Sequence, residues 1–143
     1  SNIFQDLYIT VFYAIVNVSE YTITYCNAGH NVVPVVFNNR SLELLKSAGV
    51  PISNWLPEPS YYDTVKPLKA GDNIFFYTDG IVEIRDSDNE QFGEERLVDA
   101  LTAASGSPEE ILKRLLKRVN EFLGEAGMSS SNDDITAALL QIK

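Results

Sequence analysis

Hydrophobic residues fill continuous runs or follow a two-residue repeat along the first half of the chain, which predicts β-strands. Residues 9–16 are apolar at nearly every position and rich in β-branched and aromatic side chains, the pattern of a central strand covered on both faces. Residues 21–26 alternate between apolar and polar positions and predict a hairpin with the preceding run. Residues 32–37 and 42–45 flank a polar Asn-Asn-Arg-Ser turn and predict a second hairpin. Further strands are predicted at residues 61–65 and 73–78.

From Gly93 onward the hydrophobic period changes to that of a helix. A first helix follows Gly93, and a second begins after Ser107 as N-cap, with Pro108 at the first position and Glu110 completing a capping box. Residues 135–142 return to a strand pattern. Strands, then two helices, then one strand predict an α+β fold, in which helices pack on mostly antiparallel β-sheets. The 143 residues fit one domain, 1–143.

Charge and composition exclude several classes of partner and site. With 20 acidic and 11 basic side chains the net charge is −9, which disfavours binding to nucleic acid or to an anionic membrane surface. No apolar run is long enough to cross a bilayer, so we expect no membrane segment. The single cysteine, Cys26, cannot form an internal disulfide and indicates a cytoplasmic location. One cysteine and one histidine, His30, are too few for a zinc site.

Two aspartate motifs at strand ends are the candidate chemistry. Asp79-Gly80 follows an apolar strand, and Asp133-Asp134 precedes the last strand. Taken alone, Asp-Gly favours an ordinary turn, and the Asp-Asp pair favours a solvated loop. Together, an aspartate at each of two strand ends is also the beginning of a site for a hard cation with oxygen ligands.

The order of the motifs resembles the bacterial PPM phosphatases of the stage II sporulation protein E type, relatives of the type 2C serine/threonine phosphatases. Residues 11–16 resemble that family's T-x-F-Y-x-x-L strand, and residues 25–31 resemble its Y-x-N-A-G-H-N. Residues 49–52 resemble G-x-P-L, and residues 68–83 resemble L-x-x-G-D followed by Y-T-D-G-[LIV]-x-E. Residues 92–97 resemble F-G-x-x-R-L, and residues 133–136 resemble the closing D-D-[IM]-T. The match extends over nearly the whole chain.

The resemblance implies part of an α-β-β-α sandwich and a metal-dependent protein phosphatase. Asp79 and Asp133 match two aspartates that bind a Mn²⁺ or Mg²⁺ pair, whose bound water hydrolyses phosphoserine or phosphothreonine. Gly80 would let the metal site close, and Asp134 would interact with the ligand residues without binding the metal itself. The motif containing Asn27 and His30 would shape a loop near the site.

The resemblance also implies partners. In this family the usual substrate is a phosphorylated anti-anti-sigma factor, and an upstream sensor or receiver domain often controls activity. These partners are expectations from the family, because no residue of this chain specifies them.

One family motif is absent from the sequence. The family places G-D-x-x-G-H-G ahead of the T-x-F-Y strand, and its aspartate bridges both metals, whereas these 143 residues contain no such motif. We therefore expect a C-terminal portion of a phosphatase domain whose N-terminal part is missing, with an incomplete metal site, at best one weakly held ion and little activity alone. The alternative is a non-catalytic protein-interaction module, in which an exposed sheet edge pairs with another chain or a second copy.

Overall fold

The computed structural model describes residues 7–56, 58, 60–127 and 134–143, and they form two compact units. The first unit combines Ser1–Val33 with Leu45–Ala70, and the second combines Pro34–Leu44 with Gly71–Lys143. In chain order the elements of the described residues are β1 (Tyr8–Ile9), β2 (Val11–Asn17), β3 (Thr22–Ala28), β4 (Val35–Phe37), β5 (Leu42–Leu44), β6 (Ile52–Ser53), β7 (Thr64–Pro67), β8 (Asn73–Tyr77), α1 (Gly80–Glu83), α2 (Gly93–Thr102), α3 (Pro108–Leu123) and β9 (Ala137–Gln141).

The first unit is built on the predicted hairpin of β2 and β3. These strands pair antiparallel from Val11 opposite Ala28 to Asn17 opposite Thr22, β7 adds to the free edge of β3, and β1 pairs with β6. Ile23 on β3 is fully buried.

The residues that the structure describes do not confirm that residues 9–16 form a central strand covered on both faces. Within the described residues β2 lies at the edge of the β2-β3-β7 sheet, and its side chains alternate between exposed and half-buried. Tyr13 is 62% exposed and Ile15 is 54% exposed. An unbroken apolar run indicates that a strand can be covered on both faces, but it does not say whether the second face has a covering layer.

The second unit is a layer of helices on an antiparallel sheet with the order β5-β4-β8-β9 among the described strands. The predicted hairpin of β4 and β5 is present, and β8 pairs along its whole length with β9. Helices α2 and α3 pack on one face of the sheet. The buried side chains of this core are Val35, Phe37, Phe75, Ile81, Ile84, Phe92, Leu97, Ala100, Leu101, Ala104, Ile111, Leu115, Val119 and Leu123. The α+β class is therefore confirmed, whereas the single domain 1–143 stays a prediction.

Helix α3 begins as its sequence predicts. The Ser107 hydroxyl accepts a hydrogen bond from the Glu110 amide at 3.3 Å, and the Glu110 carboxylate accepts one from the Ser107 amide at 2.8 Å. The hydrogen bond from the Ser107 backbone, followed by that with its side chain, lowers the pKa of Glu110 below its usual value. This reciprocal pair satisfies two amide groups that a helix start leaves without partners.

Helix α1 lies outside the sequence prediction, which places only a turn at residues 79–80. It is a single turn directly after β8, too short to show a helical period. None of the helices found in the described residues has the length and apolar character that a membrane crossing requires.

Candidate functional site

The end of β8 presents the first predicted metal ligand, Asp79. Asp79 is the N-cap residue of α1, and its carbonyl oxygen accepts hydrogen bonds from the amides of Val82 at 3.0 Å and Glu83 at 2.9 Å. Its side chain makes no capping hydrogen bond and is exposed to solvent. Within the described residues no cation or donor engages this carboxylate, so both oxygens are available to a ligand.

Thr78 attaches this strand end to the segment that precedes β9. The Thr78 amide donates to the Thr136 carbonyl oxygen at 3.0 Å, and the Thr136 amide donates to the Thr78 hydroxyl oxygen at 3.0 Å. The Thr78 hydroxyl also lies 3.4 Å from the Thr136 carbonyl oxygen. One threonine therefore joins the two aspartate motifs through both its backbone and its side chain.

Gly80 makes the closest approach between the two motifs. A Cβ atom at this position would lie 2.5 Å from the carbonyl oxygen of Asp134 and 3.2 Å from its carbonyl carbon. Gly80 is buried, whereas the side chain of Asp134 is exposed. The structure thus brings Asp79 and Gly80 close to Asp134 at one end of the β8-β9 pair. This approach is possible because residue 80 has no side chain.

Asp133, the second predicted ligand, lies outside the described residues. Across the part of the chain that is described, no three Asp, Glu, His or Cys side chains form a metal-binding group. The donor chemistry nevertheless suits a hard cation, because exposed carboxylate oxygens are the ligands that Mg²⁺ and Mn²⁺ prefer. The roles of Asp79, Asp133, Gly80 and Asp134 stay predictions.

Tyr77 supports this strand end from the core side. Its ring stacks on Phe75 with centroids 5.3 Å apart, and burial, with a smaller contribution from the charge of Glu94, raises its pKa to about 12. The phenol therefore stays neutral at physiological pH. It can act as a packing group and a hydrogen-bond donor, but not as an anionic ligand or nucleophile.

Asn27 and His30 belong to the first unit, where they form a closed loop. The buried Asn27 amide oxygen accepts from the His30 backbone N–H at 2.7 Å, and its amide nitrogen donates to the His30 carbonyl oxygen at 3.0 Å. The Thr10 hydroxyl and His30 Nδ1 share a hydrogen bond of 3.2 Å. Asn27 therefore fixes the conformation of this loop through its side-chain hydrogen bonds to the His30 backbone. That this loop shapes the metal site stays a prediction for Asn27 and His30.

Two glycines explain why the G-x-P motif accompanies this loop. Gly29 has a φ of +69°, in the left-handed region, and a Cβ there would lie 2.5 Å from the ring of Pro51. A Cβ on Gly49 would collide with the carbonyl oxygen of Asn27. The two motifs, far apart in sequence, therefore pack together through positions that admit no side chain.

Sequence reasoning missed the role of Thr78. The sequence signal is only that a threonine between a buried strand and an Asp-Gly pair can bond locally through its hydroxyl group. Its actual partner, Thr136, is 58 residues away in the sequence, and no spacing rule points to that pairing.

Comparison with known proteins places this fold among phosphatase domains. The structure matches the SiaA PP2C domain of Pseudomonas aeruginosa with a TM-score of 0.77 at 20% identity, over 94% of this chain and 52% of that one. It matches the phosphatase domain of the cell fate determinant SpoIIE from Bacillus subtilis, presoaked with Mn, with a TM-score of 0.67 at 17% identity, over 93% and 56% of the two chains. At these identities the likeness shows the fold alone.

Sequence comparison identifies the family. Protein IcfG of Synechocystis sp. is 31% identical over 130 residues, which cover 91% of this chain and 20% of IcfG. The chain thus spans a fifth of that relative and about half of the solved domains. The family model for stage II sporulation protein E (SpoIIE) matches residues 1–143. The resemblance seen in the motifs is confirmed, and the chain belongs to the SpoIIE family.

Proposed function

We propose that this chain is part of a metal-dependent protein phosphatase domain that hydrolyses phosphoserine or phosphothreonine on a partner protein. The observation that carries the proposal is the joining of the two aspartate motifs by Thr78 and Gly80. It leaves the Asp79 carboxylate exposed and without a partner among the described residues. A carboxylate on a fixed backbone, with no cation bound to it among the described residues, is suited to a cation site.

The structural neighbours support the same chemistry. One match is described as a bacterial serine phosphatase bearing an R161E mutation, with a TM-score of 0.59 at 20% identity. Another is RsbX in complex with magnesium, with a TM-score of 0.61 at 17% identity, and the SpoIIE phosphatase domain was presoaked with Mn. These are properties of those proteins, and their shared fold is the reason to propose them for this chain.

In this proposal Asp79 and Asp133 bind Mn²⁺ or Mg²⁺ through carboxylate oxygens. The bound ions would supply an acidified water and neutralise charge on the phosphoryl group. Gly80 and Thr78 hold the two aspartate motifs together, Asp134 adds a second exposed carboxylate beside Gly80, and Tyr77 remains neutral. No side chain of this chain forms a bond to the phosphoryl group in this scheme.

The substrate we propose is a phosphorylated regulatory protein of the anti-anti-sigma type in the cytoplasm of a bacterium. The support is the family membership of residues 1–143 and a fold match to the RsbU and RsbW domains of Rv1364c from Mycobacterium tuberculosis, with a TM-score of 0.61 at 22% identity. Control by an upstream sensor or receiver domain is part of the same proposal.

Calorimetric titration with Mn²⁺ tests the metal ligands. Asp79→Asn and Asp133→Asn should each weaken or abolish binding, since each removes a charged oxygen ligand. Asp88→Asn is the matched control, because Asp88 is an exposed aspartate in the loop between α1 and α2 and its side chain forms no hydrogen bond or ion pair within the described chain.

Equal Mn²⁺ affinity in all three variants would refute the metal assignment and favour the non-catalytic interaction module. Hydrolysis of a phosphoserine peptide with and without Mn²⁺, compared between the chain and Asp79→Asn, then tests the reaction itself. Because little activity is expected of the chain alone, the decisive result is Mn²⁺-dependent hydrolysis above background: if Asp79→Asn leaves it unchanged, the proposed role of Asp79 is refuted.

A further inference from the structure

The outer surface of α3 carries a concentrated positive charge. Lys113, Arg114, Lys117 and Arg118 are four of the eleven basic residues of a chain whose net charge is −9, and they lie within six consecutive positions. All four are exposed, whereas Ile111, Leu115 and Val119 of the same helix are buried in the core. Two of the four cations form ion pairs along the helix, Lys113 with Glu109 at 2.9 Å and Lys117 with Glu121 at 3.8 Å.

Three of these cations line a groove between α2 and α3. The groove has a volume of about 290 Å³, and its lining combines Ala100, Ala103 and Ala104 of the α2 end with Arg114, Lys117, Arg118 and Glu121 of α3. We call this the alanine groove. Ala103 is exposed, whereas Ala100 and Ala104 are 4% and 8% exposed, so a partner's backbone can approach the end of α2 at Ala103 while the long basic side chains reach around it.

Acidic neighbours partly neutralise the alanine groove: Lys117 forms an ion pair with Glu121 at 3.8 Å, and, after the hydrogen bonds with Ser107, the charge of Arg114 also lowers the pKa of Glu110. In the described part of the chain neither Arg114 nor Arg118 takes part in an ion pair, although acidic residues outnumber basic ones by nearly two to one. Arg96 of α2, by contrast, has a guanidinium group that is engaged by neighbouring groups of the protein. Its guanidinium donates to the carbonyl oxygens of Gln91 at 2.8 Å and Phe92 at 3.2 Å and lies 4.8 Å from the centroid of the Phe122 ring.

We propose that the alanine groove docks an acidic segment of a protein partner. Guanidinium groups bind carboxylates through paired hydrogen bonds, and Arg114 and Arg118, which form no ion pair within the described residues, provide the complementary charge, whereas Lys117 is already paired with Glu121. The proposal is independent of the phosphatase assignment, because no residue of the groove belongs to the aspartate motifs.

A protein segment fits better than an extended polyanion. A nucleic acid or an anionic membrane presents phosphates over a wide area, where the net charge of −9 is repulsive. Glu121 in the groove and Asp99 in the adjoining hollow would repel a continuous row of phosphates. A short acidic segment can place its carboxylates beside the arginines alone.

A titration with a decaglutamate peptide tests the proposal on the 143-residue chain. Amide chemical shifts of Ala100, Ala103 and Ala104 should change saturably, and binding should weaken as salt is added. Arg114→Glu with Arg118→Glu should raise the dissociation constant about tenfold or more, because two attractive charges become repulsive. Circular dichroism melting establishes that this double variant folds.

The control is Arg40→Glu with Lys113→Glu, which changes the net charge by the same amount outside the groove lining. This control should change the dissociation constant less than threefold, and Asp79→Asn should leave it unchanged. Equal weakening in both double variants, shifts that map away from the groove, or no saturable binding would each overturn the proposal. Tighter binding of an oligothymidine or of phosphatidylserine vesicles through the same residues would also overturn it.

Discussion

Replacing Gly80 by alanine isolates the contact that joins the two aspartate motifs. Gly80 is the first residue of α1 and has no left-handed φ, so its backbone does not require glycine. At an open helical position the change would stabilise the fold, by up to about 1 kcal/mol. Any destabilisation must therefore come from the space that the new methyl group occupies.

The structure gives the size of that steric effect. The Cβ atom would lie 2.5 Å from the Asp134 carbonyl oxygen. Carbon and oxygen atoms in contact normally keep about 3.3–3.6 Å apart, so the Asp134 backbone must retreat by about 0.8 Å or more. Overpacking of this kind costs about 1–3 kcal/mol. The same displacement would stretch both hydrogen bonds between Thr78 and Thr136.

Urea unfolding of Gly80→Ala should show a free energy of unfolding lower by about 1–3 kcal/mol. The amide signals of residues 134–136 should shift, and Mn²⁺ affinity should fall with them. Gly71→Ala is the control, since its φ of +89° strains any side chain but a Cβ there meets nothing within 4 Å. It should lower stability without moving residues 134–136. A Gly80→Ala variant as stable as the wild type, or more stable, would refute the close contact.

Three further changes test separate parts of the fold. Tyr77→Phe removes the phenol whose pKa burial raises from 10.0 to about 12. Because the folded protein keeps this phenol neutral at a pH where the unfolded chain ionises it, the stabilisation is constant below pH 10 and is lost as the pH rises towards 12. The wild type should therefore lose about 1 kcal/mol more than the variant in unfolding titrations between those pH values, after allowance for solvent screening, and parallel curves would contradict the raised pKa. Ser107→Ala should lower the free energy of unfolding by about 1 kcal/mol, since it removes the N-cap hydroxyl that accepts a hydrogen bond from the Glu110 amide. An unchanged free energy of unfolding in a urea titration would show that the cap contributes nothing. Asn38→Ala removes the 2.8 Å hydrogen bond to the buried Asp72 and should lower the free energy of unfolding by about 1–3 kcal/mol in thermal or urea unfolding. A loss below about 0.5 kcal/mol would mean that this bond adds little to the other interactions of Asp72.

Local signals account for the elements that the sequence predicted correctly. The start of α3 is specified within four residues by Ser107, Pro108 and Glu110, and all three act as expected. The β4-β5 hairpin was predictable because its turn is short and polar, and Asn38 accepts hydrogen bonds from the amides of Arg40 and Ser41. In each case the partners of a backbone group are near neighbours in the chain.

Features that depend on distant partners were not predictable. The exposure of Tyr13 and Ile15 depends on which elements cover the second face of β2, and the residues of that strand carry no such information. The pairing of Thr78 with Thr136 likewise requires the sheet to be assembled. The family motifs located Asp79 and Asp134 and predicted that Gly80 lets the site close, but only the structure identifies the Asp134 carbonyl oxygen as the atom that a side chain at Gly80 would meet.

The placement of the aspartate motifs is a consequence of strand register rather than of loop conformation. The β8-β9 ladder runs from Asn73 opposite Gln141 to Tyr77 opposite Ala137, and the bonds of Thr78 continue it by one step. A slip of one residue in this ladder would reverse the faces of β9 and move Asp134 away from Gly80. At the far end, the Gln141 amide donates to the Asn73 side chain at 3.2 Å and to the Gly106 carbonyl oxygen at 3.1 Å, which anchors the register there. The position of Asp79 and Gly80 relative to Asp134 is therefore maintained by hydrogen bonds along the whole ladder, including bonds at the end opposite to these residues.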